Sequence, residues 1–419
     1  MTEDCIESGL SVHVSVRSSA ASSARAATAD LQVSTPTDGR QNAATGPEAL
    51  VEPRAAVVAP INVARRTSSS ASHRVVARAD VVSEPLLPSH EELVEGIKAF
   101  CTSYFQVRLS RHSHSARELI SHAQLGFLPR AYFLEQIARD RDAISPFLLL
   151  AILSLSARFA PTLVARYGGK AGATNLFLRR AYALLPDELF SPSVQRAQAF
   201  FLLATAEWGN GEGERSSMLM GNAVRMAGLL RLHREETYAL DANAGPDDVI
   251  AAEVARRTFW MIQSQDDLHS GAGRPLSFVL TDINAGLPCE EREFAFGIRP
   301  RERSTLAGTA AAQHASPAAT VSPSQPLFAT LIQAHNLWGK VARLASARGT
   351  AELPWDETSQ NAKLRAALAE WEAALPPQHR WSALNLRGFM SEGLDLVSIL
   401  LPLCGTRLTL CRRRTWASS

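Results

Sequence analysis

The chain is expected to be all-α: an irregular multi-helix bundle behind a long disordered N-terminal leader. Three observations carry that expectation. From Ser89 onward, apolar residues recur at three- and four-residue spacing in one segment after another, the period of a helix with one face in a core. Gly, Pro, Ser and Asp punctuate those segments as helix caps and turns do. Strict polar–apolar alternation is missing, and only Leu276 to Leu280 reads as a short extended piece. Residues 1 to 88, by contrast, are Ser, Ala, Thr, Pro, Val and Arg with almost no aromatics and no period. Such a segment buries too little apolar surface to offset the entropy of ordering.

Taken in order, Ser89-His90-Glu91-Glu92 reads as a helix start, with Leu93, Ile97, Phe100, Tyr104 and Phe105 on its apolar face. Residues 107–123 (VRLSRHSHSARELISHA) are polar and break the pattern of both flanks, so they read as an insertion, either a retained intron or a lineage-specific addition. Their histidines, His112, His114 and His122, have no carboxylate or cysteine at ligand spacing and read as a solvated loop. Phe147 to Phe159 is apolar nearly all round, the mark of a helix inside a bundle. Helices are expected over Asn175 to Leu185, over Val194 to Trp208 behind a Ser191-Pro192-Ser193 cap, and over Met218 to Leu230. Gly209 to Gly213 follows a helix and carries Glu212, so it is a helix–helix turn rather than a phosphate loop. In the next helix Gly221, Ala223, Ala227 and Gly228 are expected at a close backbone approach, with Met218, Val224 and Leu230 filling space. His233, Glu235 and Glu236 read as a helix end with exposed charges. Ile298 to Pro326 reads as a mobile Gly/Ala/Ser/Pro loop. Helices resume over Leu327 to Leu344 and Asn361 to Leu375, where Leu364, Leu368 and Trp371 share a stripe. A further helix is expected from about Gly388, and residues 396–419 form a divergent tail that reads as a truncation or a frame change.

Bulk properties exclude several functions. A net charge of +2 provides no global field for nucleic acid or an anionic membrane. The longest apolar runs fall well short of the ~20 residues a bilayer crossing needs. The five cysteines are scattered, without a CxxC pair, so neither a disulfide framework nor a binuclear zinc cluster can be assembled from them. No Gly-x-Ser-x-Gly elbow, HExxH or Walker loop is present, and the chain is expected not to be an enzyme.

The most informative stretch is Glu253 to Pro288 (EVARRTFWMIQSQDDLHSGAGRPLSFVLTDINAGLP). Pro246, Asp247 and Asp248 start a helix there and Gly271 and Gly273 stop it. Glu253, Arg256, Arg257, Trp260, Ser264 and Asp267 share one broad face. Beyond the glycines come Arg274-Pro275, Asp282 and the turn Leu287-Pro288-Cys289. The order Glu253, Arg256, Arg257, Phe259, Trp260, Asp266, Gly273, Arg274, Pro275, Asp282, Leu287, Pro288 resembles the fungal-specific transcription factor domain, the middle homology region of fungal zinc-cluster transcription factors. Met220 to Glu235 looks like the family helix that precedes it, and Gly126 to Arg130 with Tyr132-Phe133-Leu134 like an earlier Phe-Leu-Pro segment.

The resemblance covers roughly residues 90 to 390, so the regulatory domain is placed at 89–395. It implies a nuclear transcription regulator of metabolic genes that reads promoter DNA through a zinc module. These residues lack that module, so no cofactor is expected here and zinc only in the missing cluster. Homo- or heterodimerisation with related factors and a small-molecule effector are further implied partners; a membrane is not. Two classes stay open: the regulatory part of such a factor, or a DNA-free cofactor that pairs with full-length relatives. The signature residues Glu253, Arg256, Arg257, Trp260, Asp266, Gly273, Arg274, Pro275, Asp282, Leu287 and Pro288 are read as architectural, with Trp260 packed beneath the Gly-Arg-Pro turn. The alternative is an effector pocket in which Arg257 or Arg274 holds an anion.

Overall fold

The computed structural model describes residues 85–103, 126–128, 130–140, 143–269, 275–314, 325–346, 353, 356–380 and 382–392. Among them every regular element is a helix, as the periodicity requires. In chain order these are α1 (His90–Ser103), α2 (Arg130–Arg139), α3 (Pro146–Ser156), α4 (Pro161–Arg166), α5 (Lys170–Glu188), α6 (Val194–Gly209), α7 (Gly213–Leu229), α8 (Pro246–His269), α9 (Glu291–Phe296), α10 (Ala310–His314), α11 (Leu327–Ser346), α12 (Gln360–Ala374) and α13 (Ala383–Glu392). None of these helices is long and apolar enough to cross a membrane.

Local chemistry starts these helices where the caps predict. The Ser89 N–H donates to Glu92 Oε2 at 3.1 Å while Ser89 Oγ accepts from the Glu92 N–H at 3.4 Å, a reciprocal cap. Ser145 and Ser193 accept backbone N–H bonds at the starts of α3 and α6. The centre is α3, buried from Phe147 to Ser156 and surrounded by α1, α5 and α6. Its two serines do not disturb that apolar environment. Each hydroxyl donates to a carbonyl of the preceding turn, Ser154 to Ala151 and Ser156 to Ile152. Helices α6 and α7 pack along each other after the 209–213 turn, and α8 lies against α6, α7, α9 and α11.

Several expectations need correction. Met218 is 72% exposed, because the buried stripe of α7 runs through Leu219, Ala223, Met226 and Ala227. One residue earlier is about 100° round the helix. Gly221 sits at no close approach: a Cβ added there would meet nothing within 4 Å, whereas one at Gly228 would touch the Phe278 ring at 3.8 Å. The extended piece at Leu276 to Leu280 is a bend followed by a 3-10 turn, Leu280–Asp282. The first part of the 298–326 segment is packed rather than loose. Leu306 is an apolar anchor, Thr309 is fully buried, and Ser304 O accepts from Leu287 N–H at 2.8 Å. The leader up to residue 84, the 107–123 insertion, residues 315–324, the 396–419 tail, Gly273 and Arg274 lie outside the described residues.

Candidate functional site

Helix α8 presents the signature inward. Glu253, Arg256, Arg257, Trp260, Ser264 and Asp267 are all 2% exposed or less. Three- and four-residue spacing puts them on one face, and the core closes over it.

Burying that many charges is costly unless each finds a partner. Arg257 makes four hydrogen bonds, one within its own helix and three to two other segments. Its Nε donates to Glu253 Oε1 (3.1 Å), Nη1 to Gly126 O (3.1 Å) and Glu291 Oε1 (2.6 Å), and Nη2 to Cys289 O (2.9 Å). The guanidinium carbon lies over two rings, 4.0 Å from the Phe294 centroid and 5.4 Å from that of Phe328. Arg256 grips Glu235 with both Nη atoms (2.5 and 2.6 Å), donates to Gly286 O at 3.0 Å and lies 4.0 Å over the Tyr238 ring. A planar fork suits this geometry and a lysine could not reproduce it.

Glu253 is the hub. Its Oε1 accepts the Cys289 N–H at 2.9 Å besides Arg257, and Oε2 lies 2.7 Å from Arg303 Nη2 and 3.8 Å from Arg256 Nε. Burial pushes its carboxyl up, but Arg257, Arg303, Arg256 and the Cys289 N–H outweigh burial and hold it below the ordinary carboxylate range. Glu235 is lowered too: Arg256 and the Gly286 N–H overcome its desolvation. Three carboxylates (Glu235, Glu253, Glu291) therefore face three guanidiniums (Arg256, Arg257, Arg303), and the cluster is neutral.

The cluster holds backbone. The Gly286 carbonyl accepts from both Trp260 Nε1 (2.8 Å) and Arg256 Nη1, and its N–H donates to Glu235 Oε2 at 2.8 Å. Arg303 Nη1 donates to Leu287 O at 3.1 Å. Segment 233–238, which has only a single 3-10 turn (Glu235–Tyr238), and segment 284–290, which has no helix, are thereby fastened to α8. Burial and the Glu253 charge push the Cys289 thiol up to about 12, so it is protonated at neutral pH. No group of three or more His, Cys, Asp or Glu able to hold a metal occurs among the described residues.

The remaining signature residues separate from this cluster. Asp266 turns the other way and accepts from the Ser277 N–H (2.7 Å) and Oγ (3.0 Å), fixing the chain after α8. Pro275 and Asp282 are exposed, whereas Leu287 and Pro288 are buried in the clamped turn. Trp260 directs its N–H to the Gly286 peptide. Sequence reasoning passed over Glu291 and Arg303. It read Glu235 as an exposed charge, and its side chain is indeed 46% exposed, but it did not foresee the pairing with Arg256. One signal was available: Arg256 and Arg257 have only Glu253 within one turn of them on that face, so a second carboxylate near them must come from elsewhere in the chain.

The profile of the fungal specific transcription factor domain matches residues 103–373. A transcriptional regulatory protein of Schizosaccharomyces pombe is 28% identical over 284 residues, covering 64% of this chain and 40% of the relative. The Zn(2)-C6 fungal-type transcription factor FTF1c of Fusarium oxysporum is 26% identical over 273 residues, 62% of this chain and 29% of the relative. The chain thus spans less than half the length of these curated relatives. No solved structure matches. The profile match covers well over half the chain and includes the whole clamped helix, so this protein belongs to the family of the fungal specific transcription factor domain.

Proposed function

We propose that this chain is a nuclear transcription regulator of the fungal zinc-cluster type, represented by its helical regulatory domain and controlling RNA polymerase II transcription of metabolic genes. The observation that supports the reading most is the family match over residues 103–373. In this reading the signature is a brace rather than a reaction centre, because the Nη groups of Arg256 and Arg257 bond to Glu235, Glu291 and backbone carbonyls and Arg257 Nε to Glu253. Promoter DNA is contacted by a zinc-cluster module that these residues do not contain. Fusing the chain to an unrelated DNA-binding module upstream of a reporter tests this. Reporter output should change several-fold on tethering, and an inert fusion would refute the reading.

A second reading is that the chain acts without DNA, pairing with full-length relatives through its helices. Co-purification with such a relative, together with no gel shift by the purified chain at physiological salt, would favour it.

A further inference from the structure

Beyond the brace, α8 packs along α11 with the two helices parallel. At the start of α11 the Arg257 guanidinium carbon lies 5.4 Å from the Phe328 ring centroid. Further along both helices, an added Cβ at Gly339 would sit 2.8 Å from the Asp267 carbonyl oxygen, and Asn336 Nδ2 donates to Asp267 Oδ2 at 3.2 Å. The offset between partners is nearly the same at both places. One turn before the Asp267–Gly339 contact, this register sets Gln263 and Ser264 of α8 level with His335 of α11.

All three side chains are 2% exposed or less. Among the described residues, Gln263 Oε1, Ser264 Oγ and His335 Nδ1 have no hydrogen-bond partner. Buried polar atoms of this kind are rare singly, because each gives up the bond it makes to solvent in the unfolded chain. Three at one level of one seam point to a shared partner.

Donor and acceptor roles restrict what that partner is. Gln263 Oε1 only accepts, and the Ser264 hydroxyl both donates and accepts. Burial holds the His335 imidazole neutral by pushing it down to about 3, so Nδ1 offers a proton or a lone pair according to its tautomer. An anion is disfavoured by the Gln263 carbonyl oxygen and by Asp267 one turn on. A metal cation is disfavoured by Lys340 and Arg343 of α11, whose charges act on Asp267. What remains is a small neutral molecule that donates and accepts at once.

We propose that a single water molecule is held inside the α8–α11 seam, donating to Gln263 Oε1 and bonded to Ser264 Oγ and His335 Nδ1. Three partners is the usual number for an internal water. The water ties this layer together as the guanidiniums tie the brace, and its presence is independent of the transcriptional reading.

The test uses the full purified chain. A crystal structure fine enough to show solvent should place a water within hydrogen-bonding distance of at least two of the three atoms. In solution, water–protein NOEs should reach Ser264 and His335 protons with the sign of a long-lived contact. Ser264→Ala removes one of the three partners, so it should lose those NOEs and shift the unfolding equilibrium about 10-fold toward the unfolded chain. His335→Phe keeps a ring without its nitrogens and is expected to act in the same direction. A dry seam predicts the opposite for Ser264→Ala, since deleting a hydroxyl that bonds to nothing leaves stability unchanged or raises it. That result, a direct Ser264 Oγ–His335 Nδ1 bond in the crystal, or no water contact in the unsubstituted chain would each overturn the proposal.

Discussion

Glu253 to Trp260 and Gln263 to Asp267 are successive turns of the same helix, both buried, and they handle polarity differently. In the first, three guanidiniums and three carboxylates share bonds with the backbone of two clamped segments. In the second, Asp267 faces α11 with weaker contacts: Asn336 Nδ2 at 3.2 Å, Gln263 Nε2 at 3.4 Å and Arg343 Nη1 at 3.4 Å. Burial dominates there and pushes the Asp267 carboxyl above its ordinary value. Gln263 Oε1, Ser264 Oγ and His335 Nδ1 are buried without a hydrogen bond. The first layer's two such atoms, Glu253 Oε2 and Arg256 Nε, still lie in ion pairs, the former 2.7 Å from Arg303 Nη2 and the two 3.8 Å from each other. The same helix thus carries one layer built around strong charge pairing and one in which charge is barely tolerated. Burial alone does not make a polar residue structural; the number and geometry of its partners do.

The sharpest way to break this contrast is Arg257→Ala. It strands Glu253 and Glu291 and releases the Cys289 carbonyl, and should cost about 3–5 kcal/mol in a urea melt. Arg257→Lys should recover little, since an ammonium cannot reach four acceptors in one plane. A loss below 1 kcal/mol would mean the layer is ornamental. The pH dependence follows from Glu253 and Glu235. Their folded pKa values lie below the ordinary value of 4.5, so the stability they contribute is present above that pH and is lost as pH falls through the folded values. Glu253→Gln should flatten the acid limb of a stability–pH curve, and an unchanged limb would refute the assignment.

Gly339 is a smaller test in the second layer. An added Cβ there would sit 2.8 Å from the Asp267 carbonyl, so Gly339→Ala should cost about 1–3 kcal/mol by pushing α11 off α8. The smallest effect is expected for Asp267→Asn, under about 1 kcal/mol at neutral pH, because an amide keeps contacts that a disfavoured carboxylate makes poorly. Its sign with pH is opposite to that of Glu253. A raised folded pKa means Asp267 stabilises most below 3.8 and less as pH rises through the folded value. The variant should therefore remove a loss of stability on the alkaline side of 3.8, and a steeper curve would reverse this account. His335, buried and held down to about 3, adds a decline between 6.5 and 3 as the unfolded chain takes up a proton first.

The helices, their caps and the 24-residue rod of α8 could be read from the residues because caps, apolar period and Gly/Pro punctuation act over a few positions. The architectural reading of Glu253, Arg256, Arg257 and Trp260 came from the same spacing, which places them on one face whatever surrounds it. Their partners could not be read. Glu235, Gly286, Glu291 and Arg303 stand 18 to 50 positions from Glu253, and nothing local marks one exposed-looking glutamate among many. The exposure of Met218 and the packing of residues 298–314 were missed for a related reason: which side of a helix or loop faces the core depends on neighbours that arrive from elsewhere in the chain.

What the residues determined alone was therefore the helical character of the chain and the face on which its charges gather, since both follow from 3.6-residue geometry and local hydrogen bonding. Only the tertiary structure decided that this face would be buried and which carboxylates would neutralise it. Those outcomes turn on desolvation and on the meeting of distant segments, and neither is a property of any local stretch of sequence.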